Sequence, residues 1–187
     1  MSRAATIGRM PADPRLPFDP VERAGTLWEQ HFGDATAMRL ATSVMRVQQL
    51  LLAELDAALK PYAITFARYE VLVLLTFSQA QSLPLSKIGE RLMVHPTSVT
   101  NAIDRLEAQG LVRRQADPGD RRRTLASLTP AGSALVAEAT AALTAIDFAI
   151  TGLDTAEQDA TFDLLQRLRA AAGDFPATPR PEPSTIG

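Results

Sequence analysis

The feature that most constrains the fold is the order of the elements predicted in the middle of the chain. Two helical patterns, Leu85–Met93 and Pro96–Gln109, follow each other with a gap of only two residues. Two strand-like segments, Leu111–Arg114 and Thr124–Thr129, then flank a polar loop at 117–120. Two closely spaced helices followed by a hairpin form a module that places one helix in the DNA major groove and an arm in the minor groove. The sequence therefore predicts a mainly α fold, a winged helix-turn-helix with a two-stranded β-wing, and double-stranded DNA as partner.

Proline-rich ends and apolar periodicity indicate how the chain is organised. Eight of the 13 prolines fall near the two ends, and polar, proline-rich segments favour extended, unpacked chain. In most of the remaining sequence, apolar residues recur every three or four positions, which predicts helices. We expect a disordered tail at 1–19, N-terminal helices at 20–64, a winged helix-turn-helix domain at 65–130, C-terminal helices at 131–175 and a disordered tail at 176–187.

The terminal helices carry more apolar surface than one small domain can bury. A long helix ending at Leu59 is apolar around more than one stripe, and two C-terminal patterns, Ser133–Leu153 and Thr155–Phe175, repeat this broad apolar face. Such helices need cover on two sides. We therefore predict that the N- and C-terminal helices form a homodimer interface. The alternative for some of these faces is an ordinary core within one chain.

Composition argues against several classes of protein. The chain has no cysteine, which removes disulfides, thiolate metal sites and thiol-based sensing. It has two histidines, His31 and His95, and no GxxxxGK loop or metal-ligand spacing, so we predict neither an enzyme nor a bound cofactor or metal. No apolar run approaches the roughly 20 residues that a membrane-spanning helix needs, and the first residues lack the apolar core of a secretory signal. We expect a cytoplasmic protein with no membrane partner.

The net charge of −2 is unusual for a DNA-binding protein, but the charge is unevenly distributed. Six arginines and only three acids lie between residues 105 and 123, whereas acids collect in the C-terminal pattern that follows Asp154. A genome rich in G and C would explain why arginine outnumbers lysine, but it would not explain this clustering. The basic segment is therefore predicted to face DNA phosphates.

The second helix of the pair is predicted to contact bases. Pro96 fits its first turn, and His95 stands at the capping position before it. The polar residues that follow exceed what capping requires and can hydrogen-bond base edges and phosphates. The predicted DNA-binding residues of this helix are Pro96, Thr97, Ser98, Thr100, Asn101 and Arg105. Two further caps are predicted, Thr65 for a helix at Phe66–Phe77 and Ser86 for the first helix of the pair.

The loop between the two strands carries the most concentrated positive charge. Arg121, Arg122 and Arg123 follow Asp120 in a bend that also contains proline and glycine. Guanidinium groups are favoured in a narrow minor groove because of its negative potential. We therefore predict that the three arginines bind DNA and that Asp120 braces one of them through a charge-assisted pair. The alternative function is a winged-helix module that binds protein rather than DNA, although such a module has little need of three consecutive arginines.

These residues closely resemble those of the MarR family of bacterial winged helix-turn-helix regulators. The string Val99–Arg114 looks like the recognition helix and first wing strand of the family, Asp117–Arg123 looks like its wing tip, and Leu128–Gly132 looks like the turn into its first dimer helix. The resemblance implies a homodimer on a pseudo-palindromic operator, usually a repressor that a small ligand releases. It also implies that Arg122 enters the minor groove. His95 departs from the pattern, because the family often has serine before this proline.

Two further residues resemble ligand-sensing positions in family members that respond to small anions. Trp28 lies in an extra N-terminal helix predicted at Val21–Phe32, and Glu70 aligns with an acid of a later helix. The resemblance implies that Trp28 and Glu70 bind an anionic or aromatic effector. The arginine that such members carry in the recognition helix is replaced here by Ala102, so urate-type sensing is not expected. The alternative is structural: Trp28 packs the extra helix, and Glu70 is solvated or paired with Arg68.

Overall fold

A computed structural model describes residues 16–78, 81–120 and 122–176. The chain divides into two compact units between Glu54 and Leu55. The helices and strands are α1 Pro20–Phe32, α2 Thr36–Leu59, α3 Phe66–Phe77, β1 Ser82–Pro84, α4 Leu85–Leu92, α5 Pro96–Ala108, β2 Val112–Ala116, β3 Thr124–Leu128, α6 Pro130–Ala145 and α7 Thr155–Ala171. Most of each predicted disordered tail lies outside the described residues. None of the described helices combines the length and the apolar character needed to cross a membrane.

The first unit contains α1 and most of α2. Asp19 Oδ1 accepts a hydrogen bond at 2.8 Å from one of the first amides of α1, which a helix start otherwise leaves unpaired. The side chain of Arg39 in α2 lies so close to Gly25 of α1 that a Cβ on Gly25 would stand 2.1 Å from Arg39 Nε. Arg39 also pairs with Glu29 at 2.5 Å and with Glu22 at 3.2 Å. A glycine within α1 therefore makes room for an arginine that ties α1 to α2.

The core of the second unit lies among α3, α4, α5 and α6. Each of these helices turns apolar residues inward at the 3.6-residue period. The largest fully buried side chains are Leu59, Leu72, Leu75, Ile88, Val99, Ile103, Leu106, Val112 and Leu143. One polar contact joins α3 to α6, where the Tyr69 hydroxyl and Thr140 Oγ1 lie 2.9 Å apart. This core holds α5 by one face and leaves its other face to solvent.

The predicted hairpin of β2 and β3 is confirmed, but it belongs to a sheet of three strands. The strand order is β1–β3–β2, and both pairings are antiparallel. Ser127 of β3 is buried, and its hydroxyl lies 2.8 Å from the hydroxyl of Ser82 in β1. We did not predict β1, because three residues that end in a proline carry no alternating pattern. The extra strand ties the wing to the segment immediately before α4.

The two C-terminal helices are shorter than predicted. The helix predicted over Ser133–Leu153 ends at Ala145, and the one predicted over Thr155–Phe175 ends at Ala171. After α6, the three residues at 147–149 take left-handed φ values between 48° and 62°. Left-handed backbone cannot continue a right-handed helix. This break could not be predicted from the sequence, because none of the three residues is glycine.

The predicted cap of α4 by Ser86 is wrong, and for the predicted cap of α3 by Thr65 only the position is correct. α4 already begins at Leu85, so Ser86 lies inside its first turn, and no side chain caps the start of this helix. Thr65 does occupy the position before α3, but it makes no capping hydrogen bond. The Phe66 amide instead donates to Asp56 Oδ1 at 2.7 Å. A carboxylate from the end of α2 thus replaces the local hydroxyl.

Candidate nucleic-acid interface

The start of α5 is fixed by its own residues. His95 Nδ1 accepts a hydrogen bond from the Thr97 amide at 3.2 Å, which confirms the predicted cap. Pro96 supplies a first residue that has no amide hydrogen to satisfy. The Thr100 hydroxyl donates to the Pro96 carbonyl at 3.1 Å. These local bonds hold the first turn of the helix in one conformation.

α5 has one buried apolar face and one exposed polar face. Val99, Ile103 and Leu106 are at most 2% exposed and anchor the helix in the core. The predicted DNA-binding residues of the helix are all exposed: Pro96, Thr97, Ser98, Thr100, Asn101 and Arg105. The structure therefore presents hydroxyl, amide and guanidinium groups on the part of α5 that is turned away from the core.

Gly89 allows the turn between α4 and α5 and the start of α5 to pack closely against α4. Met93 takes a left-handed φ of 55°, and its amide donates to the Gly89 carbonyl. A Cβ on Gly89 would lie 3.3 Å from both the Val94 carbonyl oxygen and Val99 Cγ2. These contacts are tight, so a larger residue would displace the start of α5. Gly89 thus helps to set the position of the exposed polar face.

Arg114 connects the wing to α5, a role that we did not predict. Its guanidinium pairs with Asp104 at 2.5 Å and with Glu107 at 2.6 Å, and it reaches the Thr100 carbonyl at 3.4 Å. The Arg114 backbone amide also donates to Glu107 Oε1 at 2.8 Å. The pKa of the Glu107 carboxyl is lowered, first by this backbone hydrogen bond and next by the side-chain one. The sequence signal for this contact is the spacing of Asp104 and Glu107, which lie three residues apart on one helix face and can share a cationic partner.

The wing tip is ordered by two aspartates. Asp117 Oδ1 accepts a hydrogen bond from the amide two residues further on at 2.8 Å, and Asp120 Oδ1 accepts one from the Arg122 amide at 3.0 Å. Asp120 Oδ2 also lies 3.6 Å from Arg123 Nε, so the predicted brace pairs with Arg123. Arg122 and Arg123 are exposed, whereas Arg121 lies outside the described residues. The tip therefore presents cationic side chains on a loop with its own hydrogen bonds.

A groove of about 250 Å³ lies between the wing and the start of α4. Its polar lining is made by Ser86, Arg122, Arg123 and Thr124. Guanidinium and hydroxyl groups in one groove suit the oxygens of an anionic group such as a DNA phosphate. Ser86, which fails as a helix cap, thus lies where a phosphate contact is chemically suitable.

The two residues predicted to bind an effector lie in different units. Trp28 packs against Phe32 with ring centroids 4.9 Å apart and keeps 40% of its surface exposed. Glu70 lies at the rim of a cavity of about 220 Å³ with mostly apolar walls. Glu70 is exposed overall, yet desolvation by its neighbours raises the pKa of its carboxyl. Arg68, the alternative partner of Glu70, donates instead to Thr65 Oγ1 at 3.3 Å.

The sequence and the fold are similar to those of known transcriptional regulators. Residues 66–124 match the model of the MarR family. The chain is 32% identical over 160 residues to YhbI, an uncharacterized HTH-type transcriptional regulator of Bacillus subtilis (strain 168), covering 82% of this chain and 89% of that protein. The crystal structure of a MarR family transcriptional regulator from Streptomyces coelicolor is 55% identical, with a TM-score of 0.69 over 74% of this chain and 96% of that one. BpsR of Bordetella bronchiseptica, whose DNA binding is regulated by 6-hydroxynicotinic acid, is 28% identical, with a TM-score of 0.63 over 70% of this chain and 98% of that one.

Proposed function

This chain belongs to the MarR family of DNA-binding transcriptional regulators and is not an enzyme, and from that premise we propose that it is a homodimeric repressor of a pseudo-palindromic operator. The observation that carries the proposal is an exposed polar face on α5 combined with exposed arginines at the wing tip. The first suits the major groove and the second suits the narrow minor groove. The core that fixes the buried face of α5 would also fix how its polar face meets DNA.

We infer that α5 and the wing contribute different kinds of DNA contact. The hydroxyl and amide groups of α5 would bond base edges, and Asn101 in particular has the paired donor and acceptor that adenine matches. The guanidinium groups of the wing would contact phosphates and the minor groove. The proposed DNA-binding residues are Pro96, Thr97, Ser98, Thr100, Asn101, Arg105, Arg121, Arg122 and Arg123. Arg114 is left out, because Asp104 and Glu107 occupy its guanidinium.

Exposed apolar side chains on α2 and α7 support the homodimer. Those of α2 include Leu40, Met45, Val47, Leu50 and Leu52, and those of α7 include Leu164, Leu165 and Leu168. α7 has no buried residue of its own. Apolar surface on this scale marks an interaction site, and a second copy of the chain would cover it. Two recognition helices held about 34 Å apart would then meet successive major grooves.

We also propose that a small anionic or aromatic effector releases the operator, with Trp28 and Glu70 as separate candidates for contacts to it. BpsR, a relative of this chain, responds to such a molecule. The carboxyl of Glu70, whose pKa is raised, lies at a cavity with mostly apolar walls. Such a cavity suits an apolar ligand that carries one polar group. Titrating 6-hydroxynicotinic acid into a protein–DNA complex tests this. Release by the wild type, but not by Glu70→Gln or Trp28→Ala, is the expected result, and equal release from all three would exclude both residues.

Selection of DNA from a random library by the purified full-length protein tests the main proposal, with light scattering of the same sample at micromolar concentration. We expect enriched sequences with two related half-sites about one helical turn apart, and a dimeric mass. A monomer would contradict the dimer. Failure to bind any duplex would favour the alternative function, a winged-helix module that binds protein.

A further inference from the structure

The ring of His95 at the start of α5 is held through one nitrogen. His95 Nδ1 accepts a hydrogen bond from the Thr97 amide at 3.2 Å and lies 3.1 Å from Thr97 Oγ1. A backbone amide only donates, so Nδ1 must keep its lone pair. In the neutral ring, the proton is then carried by Nε2. The cap therefore selects one of the two tautomers of His95.

The other ring nitrogen of His95 has no protein partner among the described residues. The side chain is exposed, and the residues that follow it, Pro96, Thr97 and Ser98, are exposed as well. Nε2 thus carries an unused N–H at the edge of the surface through which α5 is proposed to meet DNA. A donor whose ring is already fixed needs little further ordering to bind an acceptor.

We propose that His95 has two roles: through Nδ1 it caps the recognition helix, and through Nε2–H it donates a hydrogen bond to an acceptor on DNA. The inference rests on the proposed function. The acceptor is a phosphate oxygen or a purine N7 or O6 atom, all of which accept an N–H donor. The serine that is common at this position in the family could reproduce the cap, but its short hydroxyl could not place a donor where the ring nitrogen lies.

While Nδ1 accepts a hydrogen bond from the Thr97 amide, the ring carries a proton only on Nε2 and no charge, and this gives the contact a distinctive signature. A typical net hydrogen bond corresponds to about threefold to tenfold in affinity. A neutral donor releases no counterion, so its loss should leave the slope of log affinity against log salt concentration unchanged. Loss of a charged wing arginine that contacts a phosphate should instead reduce that slope. His95 can therefore be distinguished from the arginines by salt dependence alone.

His31 provides an internal reference for the tautomer of His95. His31 Nδ1 lies 2.8 Å from the Leu27 carbonyl oxygen, which only accepts, so the proton of its neutral ring is on Nδ1. The chain has only these two histidines. Nitrogen-15 NMR of the free full-length protein at about pH 8, above the ordinary histidine pKa, should show two opposite tautomers. A proton on Nδ1 of His95 would overturn the proposal before any DNA is added.

The binding experiment compares wild type, His95→Ser and His95→Ala on the operator selected above. Serine is a preferred cap and should keep the thermal unfolding midpoint near that of wild type, whereas alanine should lower it. Both variants should bind about threefold to tenfold more weakly than wild type, with an unchanged salt slope. Equal affinity of His95→Ser and wild type would overturn the proposal.

Modified duplexes identify the acceptor. Single methylphosphonates replace phosphates one at a time, and 7-deazapurines replace purines one at a time. We expect one modification to weaken the wild type by the same factor as His95→Ser and to have little further effect on that variant. A methylphosphonate at that position identifies a phosphate, and a deazapurine identifies a base. If every modification affects both proteins equally, His95 makes no direct contact, and if the wild type binds no duplex, the proposed function falls together with this inference.

Discussion

The base and the tip of the wing use the same residue type for opposite purposes. At the base, the Arg114 side chain is 25% exposed and is held by two acids of α5. At the tip, Arg122 is exposed, and the Arg123 side chain is 58% exposed with one aspartate at 3.6 Å. Both sites belong to the basic segment between residues 105 and 123, which was predicted to face DNA phosphates. The difference teaches that a count of arginines overstates the charge available to phosphates, since one of them neutralises acids of the recognition helix.

Removal of a tip arginine should have the largest effect on DNA binding. We expect Arg122→Ala to weaken operator binding about tenfold or more, because a charge-assisted contact is lost. If Arg122 contacts a phosphate, the salt slope should also fall by about 0.9. Fluorescence anisotropy over a range of salt concentrations measures both quantities. Helix content and dimer mass should not change, because the side chain is exposed.

Lysine at position 122 is the matched control for this effect. Lysine keeps the charge but is more strongly hydrated and lacks the planar fork of guanidinium, so Arg122→Lys should recover only part of the lost affinity. Alanine at 121, 122 and 123 together is the strongest challenge. If that triple variant keeps the wild-type affinity and salt slope, the wing tip does not bind DNA and the contrast with the base disappears.

Substitution of Arg114 at the base of the wing should change the free energy of unfolding more than it changes the salt slope of DNA binding. Arg114→Met keeps much of the side-chain volume but leaves Asp104 and Glu107 without their cation. Because these pairs are partly exposed and screened by solvent, we expect only a modest fall in the free energy of unfolding. DNA affinity should also fall, since two carboxylates on α5 are no longer neutralised. Urea unfolding and anisotropy test this prediction. A fall of about 0.9 in the salt slope without a loss of stability would mean that Arg114 contacts a phosphate after all.

A second substitution in the same contact sharpens this interpretation. Removing both partners of a buried or half-buried contact costs less than removing one, because no unpaired group remains. Glu107→Gln in the Arg114→Met background should therefore recover part of the lost stability, although Asp104 stays unpaired. Strictly additive losses in the double-mutant cycle would show that the two side chains do not interact in solution.

How much of this contrast the sequence reveals depends on how local the determinants are. The start of α5 was predictable because His95 and Pro96 fix it with neighbouring residues. The arginines of the tip were predictable as exposed, since they follow a proline-glycine bend. The role of Arg114 was not predictable, because Asp104 and Glu107 contact it only after the chain reverses into β2. The end of α6 was missed for a different reason, since its left-handed residues are not glycines.

The smallest expected effect is an acid titration at the base of the wing. Hydrogen bonds from Arg114 lower the pKa of Glu107 from its ordinary value of 4.5. A carboxyl with a lowered pKa in the folded state stabilises that state fully above the ordinary pKa, and this contribution is lost as the pH falls through the lowered value. Carbon-13 NMR of labelled glutamate should therefore show Glu107 titrating below the ordinary range in the wild type and nearer to it in Arg114→Met. A Glu107 carboxyl that titrates at its ordinary pKa in the wild type would show that the Arg114 contacts do not persist in solution, and the distinction between base and tip would then rest on exposure alone.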